Sequence, residues 1–309
     1  MKGVGASLAG RPWWRSHLRR QEVLVAYLFV LPWIIGFVVF TAGPILVSFI
    51  LSFTHYKIIT PATAAGLDNY TAMIRDRNFW QSLRVTTYYT FGSVPLNVAV
   101  GYLLALMLNQ KIKGLSFWRT TFFMPSIVPI LAVSYLFAWM FNPNIGLVNG
   151  LLRQFGIHGP EWFSSREWVI PTFIIMSLWG VGGGMVLYLA ALQGVPTALY
   201  DAAKADGANA WRRFYHVTLP MTSPVIFFNF LMGLIGSFQV FASAFFVTAG
   251  GPANASLFYV LYLFRNGWEY FRMGYASALA WVLFLIIMGA TLVTFKLSGR
   301  FVYYESSEN

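Results

Sequence analysis

Six long stretches without a charged residue constrain this chain more than any other feature. Each exceeds the roughly 20 residues that an α-helix needs to cross about 30 Å of hydrocarbon. Because the apolar runs are continuous rather than alternating, they predict membrane-spanning helices. The stretches lie between Glu22 and Lys57, Arg84 and Lys111, Arg119 and Arg153, Glu167 and Asp201, Arg213 and Arg265, and Arg272 and Lys296.

The composition supports an integral membrane protein. Hydrophobic residues make up 58% of the 309 positions and charged residues only 10%, whereas a soluble domain carries about 25% charged residues. The net charge of +11 is explained by retention of Lys and Arg on the cytoplasmic side. No basic stripe interleaved with aromatic residues indicates a nucleic-acid partner. The chain has no cysteine, which excludes disulfides and thiolate chemistry.

The charge-free stretches predict six spans. The fifth stretch counts once, because only eight apolar residues follow its turn at 250–252. The predicted spans are approximately Leu24–Ser52, Val85–Leu108, Thr121–Phe141, Val169–Leu192, Pro224–Thr248 and Met273–Leu297.

The same spans predict the organisation and orientation of the chain. A basic tail over 1–22 precedes a transmembrane domain over 23–297, and a short tail over 298–309 follows. With the N-terminus inside, 13 of the 21 Lys and Arg residues lie on the inner side and eight on the outer side. This asymmetry predicts that both tails are cytoplasmic.

Missing motifs limit the chemistry that the chain performs alone. It has no G-x-x-x-x-G-K-[ST] sequence to hold ATP phosphates and no H-E-x-x-H or nucleophile elbow. The six predicted spans contain no Asp, Glu or Arg, and their one Lys is Lys296, at the inner end of the sixth span. An ion-coupled secondary carrier or a charged-ring channel usually has such a residue within a span, so both are disfavoured.

A polar segment, DAAKADGANAWRRFYHVTLP, separates the fourth and fifth spans on the predicted cytoplasmic side. With Pro196 as its first residue, a short helix is predicted to run to Asp206. Gly207 then permits the positive φ that ends a helix. A second short helix is predicted over about 209–216, and Pro220 and Pro224 mark the return to the membrane. These features alone are equally consistent with a lever that another protein moves and with a plain structured loop.

The same segment resembles the EAA motif of permeases from binding-protein-dependent ABC importers. In that family the motif forms a coupling helix that docks into a cytoplasmic ATPase. Asp201 stands where the family usually has Glu, so the carboxylate is kept on a shorter side chain. The residues that match are Asp201, Ala202, Ala203, Asp206, Gly207, Ala208, Phe214, Val217, Leu219 and Pro220; the coupling loop as a whole spans 193–221.

Further motifs make the chain similar to the carbohydrate-uptake branch of these permeases, over nearly its whole length. They are F-W-R-T-T-F-F-M-P (117–125), G-S-F-Q-V-F (236–241), V-T-A-G-G-P (247–252), M-G-Y-A-S-A (273–278) and G-L-x-N-Y (66–70). The nearest pattern is that of the maltose-type first permease, without its extra N-terminal helices and large periplasmic insertion. This resemblance implies an all-α type I importer permease with six transmembrane helices and a cytoplasmic coupling helix.

The resemblance also implies partners. They are a second homologous permease, two ABC ATPases that bind ATP and Mg²⁺, and an extracytoplasmic sugar-binding protein that faces the outer turn at 249–252; that turn is equally well explained as a simple loop. No cofactor or metal is expected on this chain itself. Its expected location is the lipid of a bacterial or archaeal cytoplasmic membrane.

The substrate path is expected along the fourth and fifth spans, where hydrogen-bonding groups and an aromatic ring interrupt apolar sequence. Two alternatives remain open: the glycines serve close helix packing, and Asn229 and Gln239 form interhelical hydrogen bonds. The partner permease is a further possible source of most sugar contacts. A non-sugar cargo, such as glycerol phosphate or a polyol, is the alternative to a sugar. The path residues are Trp179, Gly180, Gly183, Asn229, Gly236, Ser237, Phe238 and Gln239.

Overall fold

The computed structural model describes residues 17–110, 113–299 and 302–303. Most of both predicted tails, 1–16 and 304–309, lies outside these residues. The described part is almost entirely helical, with one small β-hairpin. Its α-helices are α1 His17–Phe37, α2 Gly43–Ser52, α3 Asp68–Arg75, α4 Arg77–Leu108, α5 Leu115–Phe123, α6 Ile130–Met140, α7 Leu147–Gln154, α8 Val169–Ser177, α9 Gly182–Gly194, α10 Thr197–Ala205, α11 Ala210–Arg213, α12 Leu219–Phe238, α13 Ala242–Val247, α14 Tyr259–Phe264 and α15 Met273–Ser298. The antiparallel strands are β1 Thr54–Lys57 and β2 Thr60–Ala64.

Four helical segments in the described residues are long and apolar enough to cross a membrane unbroken, and two bent helix pairs bring the number to six. The first span joins α1 and α2 through a π-turn at Val38–Ala42, and the sixth is α15. α1 itself begins at His17, but the candidate membrane spans, Val23–Ser52 and Met273–Ser298, agree with the predicted bounds to within one residue. Phe49 of α2 packs against Trp281 of α15, with ring centroids 4.8 Å apart.

The second span, α4, begins eight residues before the predicted start. Asp76 caps it, because its Oδ1 accepts from the amide of Asn78 at 2.8 Å. The extension places Arg77 and Arg84 within the helix. The predicted absence of charge from the spans therefore does not hold for the outer turns of this helix.

The third and fourth spans are bent. The third turns by 96° between Leu115–Ile127 and Ile130–Met140, because Pro125 and Pro129 interrupt its hydrogen-bond ladder. The fourth bends by 50° between Val169–Gly180 and Gly182–Gly194. The third and fourth predicted spans therefore each correspond to a bent pair of helices.

The fifth span differs most from the prediction. One helical segment runs from Ala210 to Phe238, so the second short helix is the first part of the span rather than a separate element. Pro220 is the second residue of α12, directly after the π-helical turn Phe214–Thr218, so the interruption of the hydrogen-bond ladder falls where the helix type changes. Pro224 leaves the carbonyl of Pro220 without a backbone donor, and the hydroxyl of Ser223 donates to that carbonyl at 2.7 Å.

The span also ends earlier than predicted, at Phe238. The chain breaks at 239–241 and continues as α13, which packs against α6 rather than extending α12. The turn at 249–254 and α14 then fold back against the outer end of α4. There the hydroxyl of Thr86 accepts the amide of Tyr259 at 2.9 Å.

Buried side chains form two clusters at opposite ends of α4, which we name outer and inner after the orientation that the sequence predicts. The outer cluster surrounds α14, where Phe258, Tyr259 and Leu261 are fully buried. The inner cluster joins α4 to α9 through Tyr102, Met185 and neighbouring side chains. The helices that reach from one cluster to the other therefore connect the outer turn with the polar segment.

Candidate functional site

The polar segment contains a helix with a tightly defined end. Pro196 precedes the first helical residue rather than forming it, and α10 runs over Thr197–Ala205. Gly207 has a φ of +74°. Its amide donates to the carbonyl of Lys204 at 2.9 Å, and that of Ala208 donates to the carbonyl of Ala203 at 2.8 Å. This pair of bonds is the Schellman motif, which needs a residue that tolerates the left-handed conformation.

The matched residues of α10 and its end are accessible to a partner. Asp201, Ala202, Asp206 and Gly207 are exposed, whereas Ala203 and Ala208 are half-buried. The carboxylate of Asp201 pairs with the ammonium of Lys204 at 2.9 Å, with both side chains well exposed. Exposed pairs of this type are weak, so the carboxylate remains available for a stronger contact.

The second part of the segment attaches α10 to the spans. Asn209 caps α11 by accepting from the amide of Arg212 at 2.9 Å. Phe214 packs on Tyr102 of α4, with ring centroids 6.4 Å apart. Leu219 packs against the same inner cluster, and Pro220 begins α12. The part of the segment that follows α10 is therefore packed against the inner cluster of α4 and α9 and continues into α12.

Two polar contacts reinforce this attachment. The hydroxyls of Tyr200 and Thr218 lie 3.0 Å apart, which joins α10 to the start of the fifth span. The hydroxyls of Tyr102 and Thr222 lie 2.8 Å apart and are buried, which joins α4 to α12. The hydroxyl of Thr222 also donates to the carbonyl of Thr218 at 2.8 Å. Separation of the two helices would therefore leave the buried hydroxyl of Tyr102 without this partner.

A cavity of 250 Å³ opens between α4, α9 and α12. It brings together four residues that were predicted for the substrate path: Gly180, Asn229, Gly236 and Ser237. An adjoining cavity of 290 Å³ is lined by Trp179 and again by Gly180. The ring of Trp179 is partly exposed and meets Phe137 edge-on at 5.6 Å.

Three other predicted path residues lie outside the cavity walls. Gly183 faces Ser126, whose Cβ would lie 3.8 Å from an added Cβ. Phe238 is buried in the outer cluster. Gln239 is exposed at the end of α12, where its amide donates to the carbonyl of Ile235 at 3.1 Å.

Asn229 also donates within its own helix, to the carbonyl of Val225 at 3.0 Å. The hydrogen bonds found for Asn229 and Gln239 are therefore intrahelical rather than interhelical. The amide oxygen of Asn229 lies on the cavity side, 3.4 Å from where a Cβ on Gly184 would be. That oxygen is a suitable acceptor for a hydroxyl group in the cavity.

One wall of this cavity was not predicted from the sequence. Tyr89, Ser93 and Asn97 of α4 line it, and the amide of Asn97 donates to the hydroxyl of Ser177 at 2.8 Å. These three polar side chains recur every fourth residue in an apolar helix, which places them on one face. That spacing was a visible signal for a polar path along the second span.

The glycines of the path have different surroundings. Added Cβ atoms at Gly180 and Gly236 would meet nothing within 4 Å. A Cβ at Gly182 would lie 2.0 Å from the carbonyl oxygen of Phe122. Gly182 therefore permits close helix packing at the bend, whereas Gly180 and Gly236 leave open space in the cavity.

Comparisons with known proteins agree with this architecture. Residues 97–302 match the family described as "Binding-protein-dependent transport system inner membrane component". The chain is 40% identical to the probable ABC transporter permease protein YesP of Bacillus subtilis, over 95% of this chain and 96% of that protein. It is 33% identical to the arabinooligosaccharides transport system permease protein AraP of the same organism, over 96% and 95%.

The fold matches a solved transporter. A chain of the bacterial alginate ABC transporter, crystallised in complex with an alginate pentasaccharide-bound periplasmic protein, superposes with a TM-score of 0.80. The match covers 93% of this chain and 98% of that chain at 23% identity. The shared architecture is the type I importer permease fold.

Proposed function

Because this chain belongs to the family of binding-protein-dependent transport system inner membrane components, we propose that it forms part of the path by which an ATP-driven importer takes an oligosaccharide into the cell. It is a membrane-spanning ABC transporter permease subunit and not an enzyme. One observation carries the proposal. The exposed helix that matches the family's coupling motif is connected to a polar cavity through α4 and α12, which are hydrogen-bonded to each other and line that cavity.

The lining of the cavities supports a carbohydrate cargo. Sugars are held by hydrogen-bonding groups and aromatic faces, and Asn97, Asn229 and Trp179 supply both kinds. AraP, which is 33% identical, is named for arabinooligosaccharides. We call these two cavities the inner cavities. Their lining has no charged side chain, which suits the uncharged hydroxyl groups of a sugar.

The proposed assembly contains a second permease, two ATPases and an extracytoplasmic receptor. The family name supports the receptor, and the alginate transporter was crystallised with a periplasmic protein. ATP and Mg²⁺ bind the ATPases. The N- and C-termini and α10 face the cytoplasm, and the turn at 249–254 faces the receptor.

In the proposed mechanism, α10 transmits the closure of the ATPases to the spans. ATP binding moves α10, and the contacts of Phe214 and Thr222 pass that movement to Tyr102 on α4. The two inner cavities then open to the outside, take the sugar from the receptor and release it inward after hydrolysis. This is a rigid-body switch between two packed arrangements.

Transport in proteoliposomes tests this function. The complete transporter is reconstituted with ATP enclosed and receptor outside, and entry of oligosaccharides is followed by mass spectrometry. We expect uptake that needs both ATP and receptor. Uptake of the same sugar driven by an ion gradient, without ATP or receptor, would instead establish a secondary carrier.

We expect Asn229→Leu to reduce sugar uptake about tenfold, because one hydrogen bond to the cargo is lost in a partly dehydrated site. The protein should remain folded, since the donated bond of Asn229 stays within its own helix. The measurement is the initial rate of ATP-dependent uptake. Phe228→Leu, at the exposed neighbouring position, is the control, and equal rates for the two variants would remove Asn229 from the path.

A further inference from the structure

A larger cavity, of 720 Å³, lies at the end of α4 opposite the coupling segment. Arg84, in its wall, is 18 residues from Tyr102, or ~27 Å along the helix. The wall is completed by the segment before α8 and by the turn at 253–255. We call this the basic cavity, for the arginines that line it.

Three arginines line the basic cavity against a single carboxylate. They are Arg77, Arg84 and Arg166, and the carboxylate is that of Glu167. Within the described residues, none of the three guanidinium groups lies within 4.0 Å of a carboxylate. The cavity therefore presents uncompensated positive charge in a form that pairs bidentately with carboxylates.

The remaining lining suits a saccharide better than a protein surface. Tyr88 exposes more than half of its surface there and offers an aromatic face. Gln81 donates to the carbonyl of Asn254 at 3.2 Å, which fixes the turn against α4 and leaves the amide oxygen of Gln81 free to accept. A concave site with one ring, amides and convergent charges is typical of small-ligand recognition.

The basic cavity lies in line with the inner cavities. Val85 lines the basic cavity, and Tyr89, one helical turn further along α4, lines both inner cavities. On α8, Ile170 lines the basic cavity and Phe173 the adjoining inner one. The same two helices thus lead from the arginines to the predicted sugar path.

We propose that the basic cavity receives the carboxylate group of an acidic oligosaccharide, one that contains a uronic acid, before the sugar enters the inner cavities. This rests on the proposed function and names its substrate class. The charged group is held at the outer mouth by Arg84 and Arg166, whereas the uncharged inner cavities contact the hydroxyl groups of the neighbouring sugar units.

The test is competitive uptake by the complete reconstituted transporter. The probes are oligosaccharide mixtures from polygalacturonate, alginate and glucuronoxylan, together with neutral mixtures from starch, galactan and arabinan. We expect wild-type uptake of at least one acidic species. Arg84→Gln combined with Arg166→Gln should lower that uptake about 100-fold, since two charge-assisted contacts are lost.

Two variants control for charge and for folding. Lys57→Gln removes a cation from the β-hairpin, outside the basic cavity, and should leave acidic uptake unchanged. Arg84→Lys keeps the charge without the bidentate geometry and should retain an intermediate rate. Uptake of neutral species only, or acidic uptake that the double variant does not lower, would overturn the inference.

A second readout separates cargo binding from receptor binding. If the arginines hold carboxylates of the receptor instead, the double variant raises the receptor concentration that half-maximally stimulates ATP hydrolysis, even when the receptor carries no sugar. That outcome overturns the acidic-cargo inference. Failure of the proposed function is distinct: no oligosaccharide, acidic or neutral, then enters in an ATP-dependent manner.

Discussion

Gly207→Pro is expected to abolish the coupling between ATP hydrolysis and sugar uptake while leaving the transporter assembled. Proline fixes φ near −65° and has no amide hydrogen, whereas Gly207 has a φ of +74° and donates to the carbonyl of Lys204. The end of α10 must therefore change direction. We expect receptor-stimulated uptake to fall about 100-fold, the upper range of typical coupling energies.

The measurement compares uptake with receptor-stimulated ATP hydrolysis in the same proteoliposomes. Gly207→Asn is the matched control, because asparagine tolerates the left-handed conformation better than other side chains. It should retain most of the uptake. Full uptake by the proline variant, in a complex of normal composition, would show that α10 does not act as a lever.

The second large effect is expected at the bend of the fourth span. Gly182→Ala would place a Cβ 2.0 Å from the carbonyl oxygen of Phe122 and 3.0 Å from the Cα of Phe123. Both neighbours are backbone atoms, so the helices must separate. We expect a destabilisation of about 3 kcal/mol, at the severe end of overpacking, seen as a lower melting temperature and a lower yield of folded protein in detergent.

Gly180→Ala provides the contrast two residues away. Its Cβ would meet nothing within 4 Å and would point into open space between the two inner cavities. Its melting temperature should match that of the wild type, whereas the rate of uptake should change. Equal melting temperatures for Gly182→Ala and Gly180→Ala would refute the packing role of Gly182.

Local chemistry made the coupling helix predictable. Gly207 follows a run of good helix-forming residues, and glycine in that place is the usual residue for a left-handed helix end. The first and sixth spans were predictable for a similar reason, since their hydrophobic runs end at clear polar boundaries. In each case the decisive information lies within a few neighbouring residues.

The course of the fifth span was not predictable in this way. Pro220 and Pro224 indicate a break, yet the helix continues, and the hydroxyl of Ser223 donates to the carbonyl of Pro220 in place of the missing amide of Pro224. The span then ends at Phe238, where packing of α13 on α6 redirects the chain. Both outcomes depend on contacts that sequence spacing alone does not reveal.

The bend in the third span and the polar face of α4 were both predictable from the sequence, although neither was predicted. Pro125 and Pro129 within a predicted span are strong signals for an interruption. The recurrence of Tyr89, Ser93 and Asn97 at every fourth position indicates a polar stripe. The basic cavity, by contrast, joins residues more than 80 positions apart, and only the tertiary fold brings them together.

The first membrane-spanning segment packs on its own chain through α2, where Phe49 contacts Trp281 of α15. No residue over 23–37 is buried, so this part of α1 contributes no side chain to either buried cluster. Substitutions there are tolerated or rejected according to what adjoins the helix from outside. Across species, those positions should therefore covary with residues of a different polypeptide rather than with other residues of this chain.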